Sequence, residues 1–245
     1  DRRHMRAGIW TLVIVALGWA GLVWLVVDMG HPLAQLTMPM SSSWGAANLA
    51  AIAVMWAVMM AAMMLPSALP MIQTFANICA KKGDAARWRS FVGGYLLVWA
   101  AFSVAAVAAQ WVLQMMGWVD PMIVSRSALL TAVLLVIAGV YQFSPLKHVC
   151  LSRCRSPLGF VLGEWRDGIG GGFVMGLRHG LHCLGCCWAL MALLFVGGVM
   201  NLAWIAALSI VVAIEKLAPH GDRLGRLLGA ALIAVGVWRV IALSG

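Results

Sequence analysis

Ala46-Ala-Asn-Leu-Ala-Ala-Ile-Ala-Val-Met-Trp-Ala-Val-Met-Met-Ala-Ala-Met-Met-Leu65 carries no charge over its whole length and is closed by Pro66. A helix needs about 20 consecutive apolar residues to cross the roughly 30 Å hydrocarbon core of a bilayer. The stretch therefore reads as a transmembrane helix, and it sets the fold class. Working outward, six more apolar runs follow the same pattern. Gly8–Val27 precedes it; Phe91–Met116, Ser127–Phe143, Gly170–Val196, Val199–Ile214 and Leu224–Leu243 come after it. The expected fold is all-α: a polytopic membrane helical bundle of about seven transmembrane helices, forming a single integral membrane domain over residues 1–245. The fourth and sixth runs are short, the fifth is long, and the third has room to tilt. Gly8–Val27 follows Arg2, Arg3 and Arg6, the charge order of a signal peptide. It exceeds a signal core of about 7–15 residues and no small-residue cleavage site closes it, so it is expected to be the first helix.

Composition excludes a water-soluble globule. The chain is 63% hydrophobic and 10% charged, where a soluble domain carries about 25% charged residues. A net charge of +9 does not point to nucleic acid, because the basic residues form no single stripe or helix face. They cluster between the apolar runs. With the N-terminus inside, the inner segments hold Arg2, Arg3 and Arg6; Lys81, Lys82, Arg87 and Arg89; Lys147, Arg153, Arg155 and Arg166; and Lys216, Arg223 and Arg226. These are fourteen of the 17 basic residues. The outer loops hold Arg126, while Arg178 and Arg239 fall within spans. The positive-inside rule then predicts a multi-pass protein of the inner membrane, with the lipid bilayer as its surroundings, the N-terminus cytoplasmic and the C-terminus periplasmic. Leu146–Asp167 is expected to be a cytoplasmic loop between the fourth and fifth helices.

The fifth run holds the densest chemistry. On a helical wheel Met175, His179, His182, Cys183, Cys186 and Cys187 share an arc of roughly 140°. Two imidazoles and three thiols on one face form a set of nitrogen and sulfur ligands, and polar groups at membrane depth are usually functional. Cysteine is also a small buried hydrophobe, but two His and three Cys within nine residues exceed that role. Gly170, Gly171, Gly172, Gly176, Gly180 and Gly185 permit close helix approach or an unwound stretch. Arg178 needs a counter-charge, for which Glu215 is the nearest acidic candidate by topology. In the second run, Met55, Met59 and Met63 recur every four residues beside Met60 and Met64. Thioethers suit copper(I), although methionine is equally an adaptable packing residue. Met38-Pro-Met40 would stand at the entrance to this helix, and Pro66 and Pro70 are expected to break or kink its inner end. In the inner segment, His148, Cys150 and Cys154 have a spacing suited to a soft or borderline metal, with thiols kept reduced in the cytoplasm. Ordered by depth, the expected ligands run from thioethers outside, through His and Cys at mid-membrane, to thiols inside.

Together Trp56…Met59-Met60-Ala-Ala-Met63-Met64-Leu-Pro66, Lys147…Cys150-x3-Cys154, Gly176…His179-x2-His182-Cys183-x2-Cys186-Cys187 and Glu215-Lys216…Pro219 resemble bacterial integral membrane proteins described as predicted metal-binding. The resemblance implies metal ligation by His179, His182, Cys183, Cys186, Cys187, Cys150 and Cys154, and leaves the reaction open. The sulfur-rich set favours copper(I), with zinc or iron as alternatives; mercury ranks lower because it needs no thioether path. The preferred function is copper transport or delivery across the inner membrane, with a metal chaperone or other membrane subunits as partners. The alternatives are a membrane metalloenzyme or metal-binding subunit, and a scaffold whose cysteines are structural.

Overall fold

A computed structural model describes residues 2–39, 44–81 and 84–244. Met40 of the expected entrance and Lys82 of the inner charge cluster lie outside the described residues. In chain order the helices are α1 Arg2–Val27, α2 Pro32–Thr37, α3 Ala46–Lys81, α4 Ala85–Met115, α5 Ala128–Tyr141, α6 Pro145–Arg155, α7 Pro157–Gly163, α8 Gly168–Ala192, α9 Leu194–Gly197, α10 Leu202–Leu217 and α11 Gly221–Ser244. No strand forms among the described residues. Isolated bridges from Val119 to Ser125 and from Val124 to Gly197 pin the connection between α4 and α5.

Five helical segments are long and apolar enough to cross a membrane: Ala7–Val27, Ala46–Ala80, Ala86–Met115, Gly168–Gly197 and Gly221–Ala242. A sixth is reached if α5 and α6, bent by 64° at their junction, are counted as one broken span. Two of the seven expected runs are thus shorter as helices than a crossing needs. At about 1.5 Å per residue, α5 with 14 residues and α10 with 16 span roughly 21 and 24 Å. Local chemistry sets these limits. Ser144 caps α6 through its side chain and Pro145 fills the first turn of that helix, which stops α5 and turns the chain. Asn201 caps α10 by accepting from the Trp204 amide, and Pro219 follows its end.

The surface is apolar and the interior is partly polar, the reverse of a soluble bundle. Val54, Leu97, Val104, Leu129, Ile137, Leu181, Ile210 and Leu227 point outward, whereas Arg87, Ser103, Gln110, Gln142, Lys147, His179, Glu215 and Lys216 are buried. That distribution is compatible with a lipid-facing exterior. At the centre, α3 packs on α1 and α4, α4 on α8, and α5 on α11. The pair α4 and α8 comes unusually close. A Cβ on Gly176 would strike the Phe91 carbonyl, and one on Gly94 would strike that of Phe173. Gly172, Gly176, Gly180 and Gly185 of α8 therefore serve close helix packing, and α8 stays continuous from Gly168 to Ala192. Helix α3 likewise runs unbroken through Pro66 and Pro70. The expected break is absent, although the two prolines leave Ala62 O and Pro66 O without their usual i+4 partner.

The segment expected to be a cytoplasmic loop is instead the helix pair α6 and α7, folded back onto the bundle. Its residues Lys147, Cys150, Leu151, Phe160 and Val161 are buried. The alternation of apolar residues in Pro145–Gly163 is short and interrupted by charges, so hydropathy alone hides this folding back.

Candidate metal centre

Helix α8 turns Met175, His179, Cys183, Cys186 and Cys187 into the bundle, all of them buried. His182 sits half-buried at the edge of the same face, with its ring edge-on to Phe160 at 6.1 Å. His179 is held flat between aromatic rings, with centroids 5.8 Å from Phe91 and 5.6 Å from Tyr95. Its Nδ1 is buried without a hydrogen-bond partner. A buried polar atom left unpaired is costly and calls for a function.

Cys183 is the hub. Its Sγ lies 3.1 Å from the Tyr95 hydroxyl and accepts from Lys216 Nζ at 2.9 Å. Lys216 also donates to Ser67 Oγ at 3.2 Å, and Tyr95 donates to Met64 O at 3.2 Å. The Cys186 and Cys187 thiols each turn back to donate to Cys183 O at 3.0 Å. Cys187 Sγ lies 3.9 Å from Met64 Sδ, which joins a thioether of α3 to the thiols of α8.

Helix α6 supplies a fourth thiol. Cys154, half-buried on α6, packs against the same core as Cys183 and Cys186 and is a neighbour of both. Cys150 packs where α8 has Gly185: a Cβ there would sit 2.7 Å from Cys150 Sγ. The Tyr141 hydroxyl, at the end of α5, donates to Gly185 O and ties α5 to α8 at the same point. Two of the three stations expected in order of depth therefore meet, with one thioether beside them. Cys154 from the inner segment, Cys183, Cys186 and Cys187 from α8, and Met64 from α3 are neighbours. Met55, Met59 and Met63 are buried, but their sulfurs have no such contact with a thiol among the described residues. Met55 lines a separate apolar cavity of about 480 Å³ between α1, α2 and α3. His148 is half-buried on α6, and no hydrogen bond joins its ring to the thiols.

Electrostatics correct one expectation. Arg178 pairs with Glu164, at the end of α7, and not with Glu215. Glu215 pairs with Lys147 at 2.6 Å, both side chains almost fully buried, and Lys147 also donates to Gln142. Arg178 points away from the core and is reached by the returning α6–α7 segment, so Glu215 is left to a different cation. Tyr95, Lys216 and Met64 are the neighbours of the thiols that spacing on α8 could not reveal. Lys216 and Met64 do lie in the quoted family pattern; Tyr95 had no signal of its own.

The donor set is soft and suits copper(I): four thiols and a thioether, with an imidazole nearby. Among the described residues, however, no group of three or more His, Cys, Asp or Glu side chains is arranged to hold a metal ion. The thiols are adjacent but do not converge on one point, since two of them are turned to a backbone carbonyl and one is engaged by Lys216. Rotation about the Cys Cα–Cβ bonds, between staggered wells, is the movement that would bring them together.

A model of the family described as PpoB2, copper chaperone, matches residues 53–239, which covers α3 through most of α11. No curated protein and no solved structure matches the chain.

Proposed function

The chain belongs to the PpoB2 copper chaperone family, and on that premise we propose that it binds copper(I) within the membrane and passes it on. Its sulfur ligands in this reading are Cys154, Cys183, Cys186, Cys187 and Met64, with His179 and His182 as nitrogen donors at the rim and Cys150 behind Cys154. The observation that carries the proposal is the meeting of α6, α8 and α3 at one buried sulfur cluster. Soft ligands select copper(I) over harder ions. Sites used for transfer must also bind without trapping, and thiols that start on backbone partners provide that: each must give up a hydrogen bond to take the ion, and regains it on release. A membrane span count of seven, with the N-terminus cytoplasmic, the C-terminus periplasmic and the chain a single domain in the inner membrane, completes the proposal. Its support is the one-sided distribution of basic residues.

The test is metal content and affinity of the detergent-purified protein, handled without oxygen or strong chelators, by elemental analysis and competition against a copper(I) indicator. Wild type is expected to hold near-stoichiometric copper, and the Cys183/Cys186/Cys187→Ser variant to lose it. Zinc or iron at stoichiometric level in place of copper would move the reading to a metalloenzyme. A wild type that takes up no metal would overturn it.

A further inference from the structure

We propose that the seam between α3 and α4 is a hydrated polar track that connects the sulfur cluster to the end of the bundle carrying Pro39 and Trp44. As a route for copper it rests on the function proposed above; as a hydrated track it does not.

Between Phe91 and Met115, α4 carries one Tyr, one Ser and two Gln: Tyr95, Ser103, Gln110 and Gln114. At 100° per residue these four and Trp99 fall within about 100° of one helix face. Chance would scatter them, and a purely apolar contact would not need them. The face is directed inward: Tyr95, Trp99, Ser103 and Gln110 are buried. From Tyr95 to Gln114 is 19 residues, or about 28 Å of helix, close to the thickness of the hydrocarbon core.

The track begins at the cluster, where the Tyr95 hydroxyl meets Cys183 Sγ at 3.1 Å. Further along, Gln110 Oε1 accepts from Trp56 Nε1 of α3 at 2.8 Å. It ends where Gln114 Nε2 donates to Pro39 O at 3.0 Å. Along it, four buried polar atoms have no partner: Trp99 Nε1, Gln110 Nε2, Gln114 Oε1 and Trp44 Nε1. Unpaired buried donors and acceptors are rare and are usually satisfied by internal water. Four of them, three donors and one acceptor, describe sites for a row of waters. The opposite wall is the methionine face of α3, where Met59, Met60 and Met63 are buried. Water solvates an ion there while thioethers offer it weak, exchangeable ligands. This gives the methionine stripe a role that its distance from the thiols would otherwise deny it.

Two measurements test the track. Radiolytic hydroxyl footprinting of the purified protein in nanodiscs labels side chains beside bound water, with no copper needed. Met59, Met60 and Trp99 are expected to label despite their burial, and Gln110→Leu to reduce that labelling. Unlabelled residues in the wild type would overturn the track. In sealed proteoliposomes with copper(I) outside and an indicator trapped inside, Gln114→Leu is expected to slow initial uptake about ten-fold, the factor that one lost hydrogen bond at a barrier can produce. Its copper affinity in detergent should remain that of the wild type. Gln114 is half-buried, and its replacement leaves intact the buried Trp56–Gln110 bond that Gln110→Leu removes. Unchanged uptake by Gln114→Leu beside an active wild type would overturn the route. A wild type with no uptake at all would sink the copper-transfer reading instead, while the footprint still decides the track.

Discussion

At the scale of single residues, the chemistry turns on groups whose partners are few and specific. Met64 touches the cluster through sulfur alone, 3.9 Å from Cys187 Sγ, so Met64→Leu separates ligation from packing. The exchange nearly conserves volume and should cost under about 1.5 kcal/mol of stability. Copper(I) affinity is expected to drop several-fold at unchanged melting temperature, and Cys183→Ser to drop it further, by roughly ten- to a hundred-fold. Competition titrations under nitrogen read both. Wild-type affinity in the two variants together would remove these residues from the ligand set. The buried pair Lys147–Glu215 makes a different prediction. Neither partner is a soft ligand, and each is there to neutralise the other. Glu215→Gln leaves the Lys147 ammonium uncompensated in the interior and is expected to destabilise the bundle by about 3–5 kcal/mol. Joint replacement, Lys147→Met with Glu215→Leu, should recover most of that loss. Thermal unfolding in detergent checks it; a Glu215→Gln protein as stable as the wild type would mean the pair is hydrated.

At the scale of elements, the contact of α6 with α8 depends on a residue too small to keep them apart. Gly185 admits Cys150, and with it α6, to the surface of α8. Gly185→Ala would place a methyl 2.7 Å from Cys150 Sγ. Either the Cys150 side chain turns aside, or α6 shifts outward and carries Cys154 away from Cys183 and Cys186; the shift is the expected outcome. The expected result is faster alkylation of Cys154 and weaker copper binding, while the α8 thiols keep their own geometry. An alkylation rate for Cys154 equal to the wild type's would show that α6 is not held at this point. The same helices show how far the sequence could be read. The ligand face of α8 was legible because its residues are local, and helical periodicity alone puts His179, Cys183, Cys186 and Cys187 together. The meeting of Cys154 with them was not, because it depends on the turn at Ser144-Pro145 and on a return path that charged residues disguise as a loop. The Arg178–Glu215 pairing failed for the same reason. Glu164 lies on the returning segment, and no spacing rule connects residues through a chain reversal. Met55, Met59 and Met63 illustrate the opposite error: a regular stripe is visible in sequence, but only Met64, next to it, reaches a thiol.

At the scale of the whole molecule, the open quantity is the number of crossings, and it has a consequence at the chain ends. Charge alternation gives seven crossings, whereas helix length gives five, or six with the bent pair α5–α6 as one broken span. Seven and five are odd and place the two ends on opposite faces; six places them on the same face. The charges near the last helix favour an odd count, since Lys216, Arg223 and Arg226 precede its apolar stretch while Arg239 alone stands near its far end, which puts the start of α11 inside. In the seven-crossing arrangement α5 crosses alone, α6–α7 folds back along the face that holds Lys147, Arg153, Arg155 and Arg166, and α10 crosses before α11. A periplasm-dependent enzyme fused after residue 245 is therefore expected to be active, and the same fusion at the N-terminus inactive, with a cytoplasm-dependent fluorescent protein giving the reverse pattern. Fluorescence from both ends would establish an even count, in which α5–α6 is one broken span, α10 does not cross, and the start of α11 with Arg223 and Arg226 lies outside, against the charge rule.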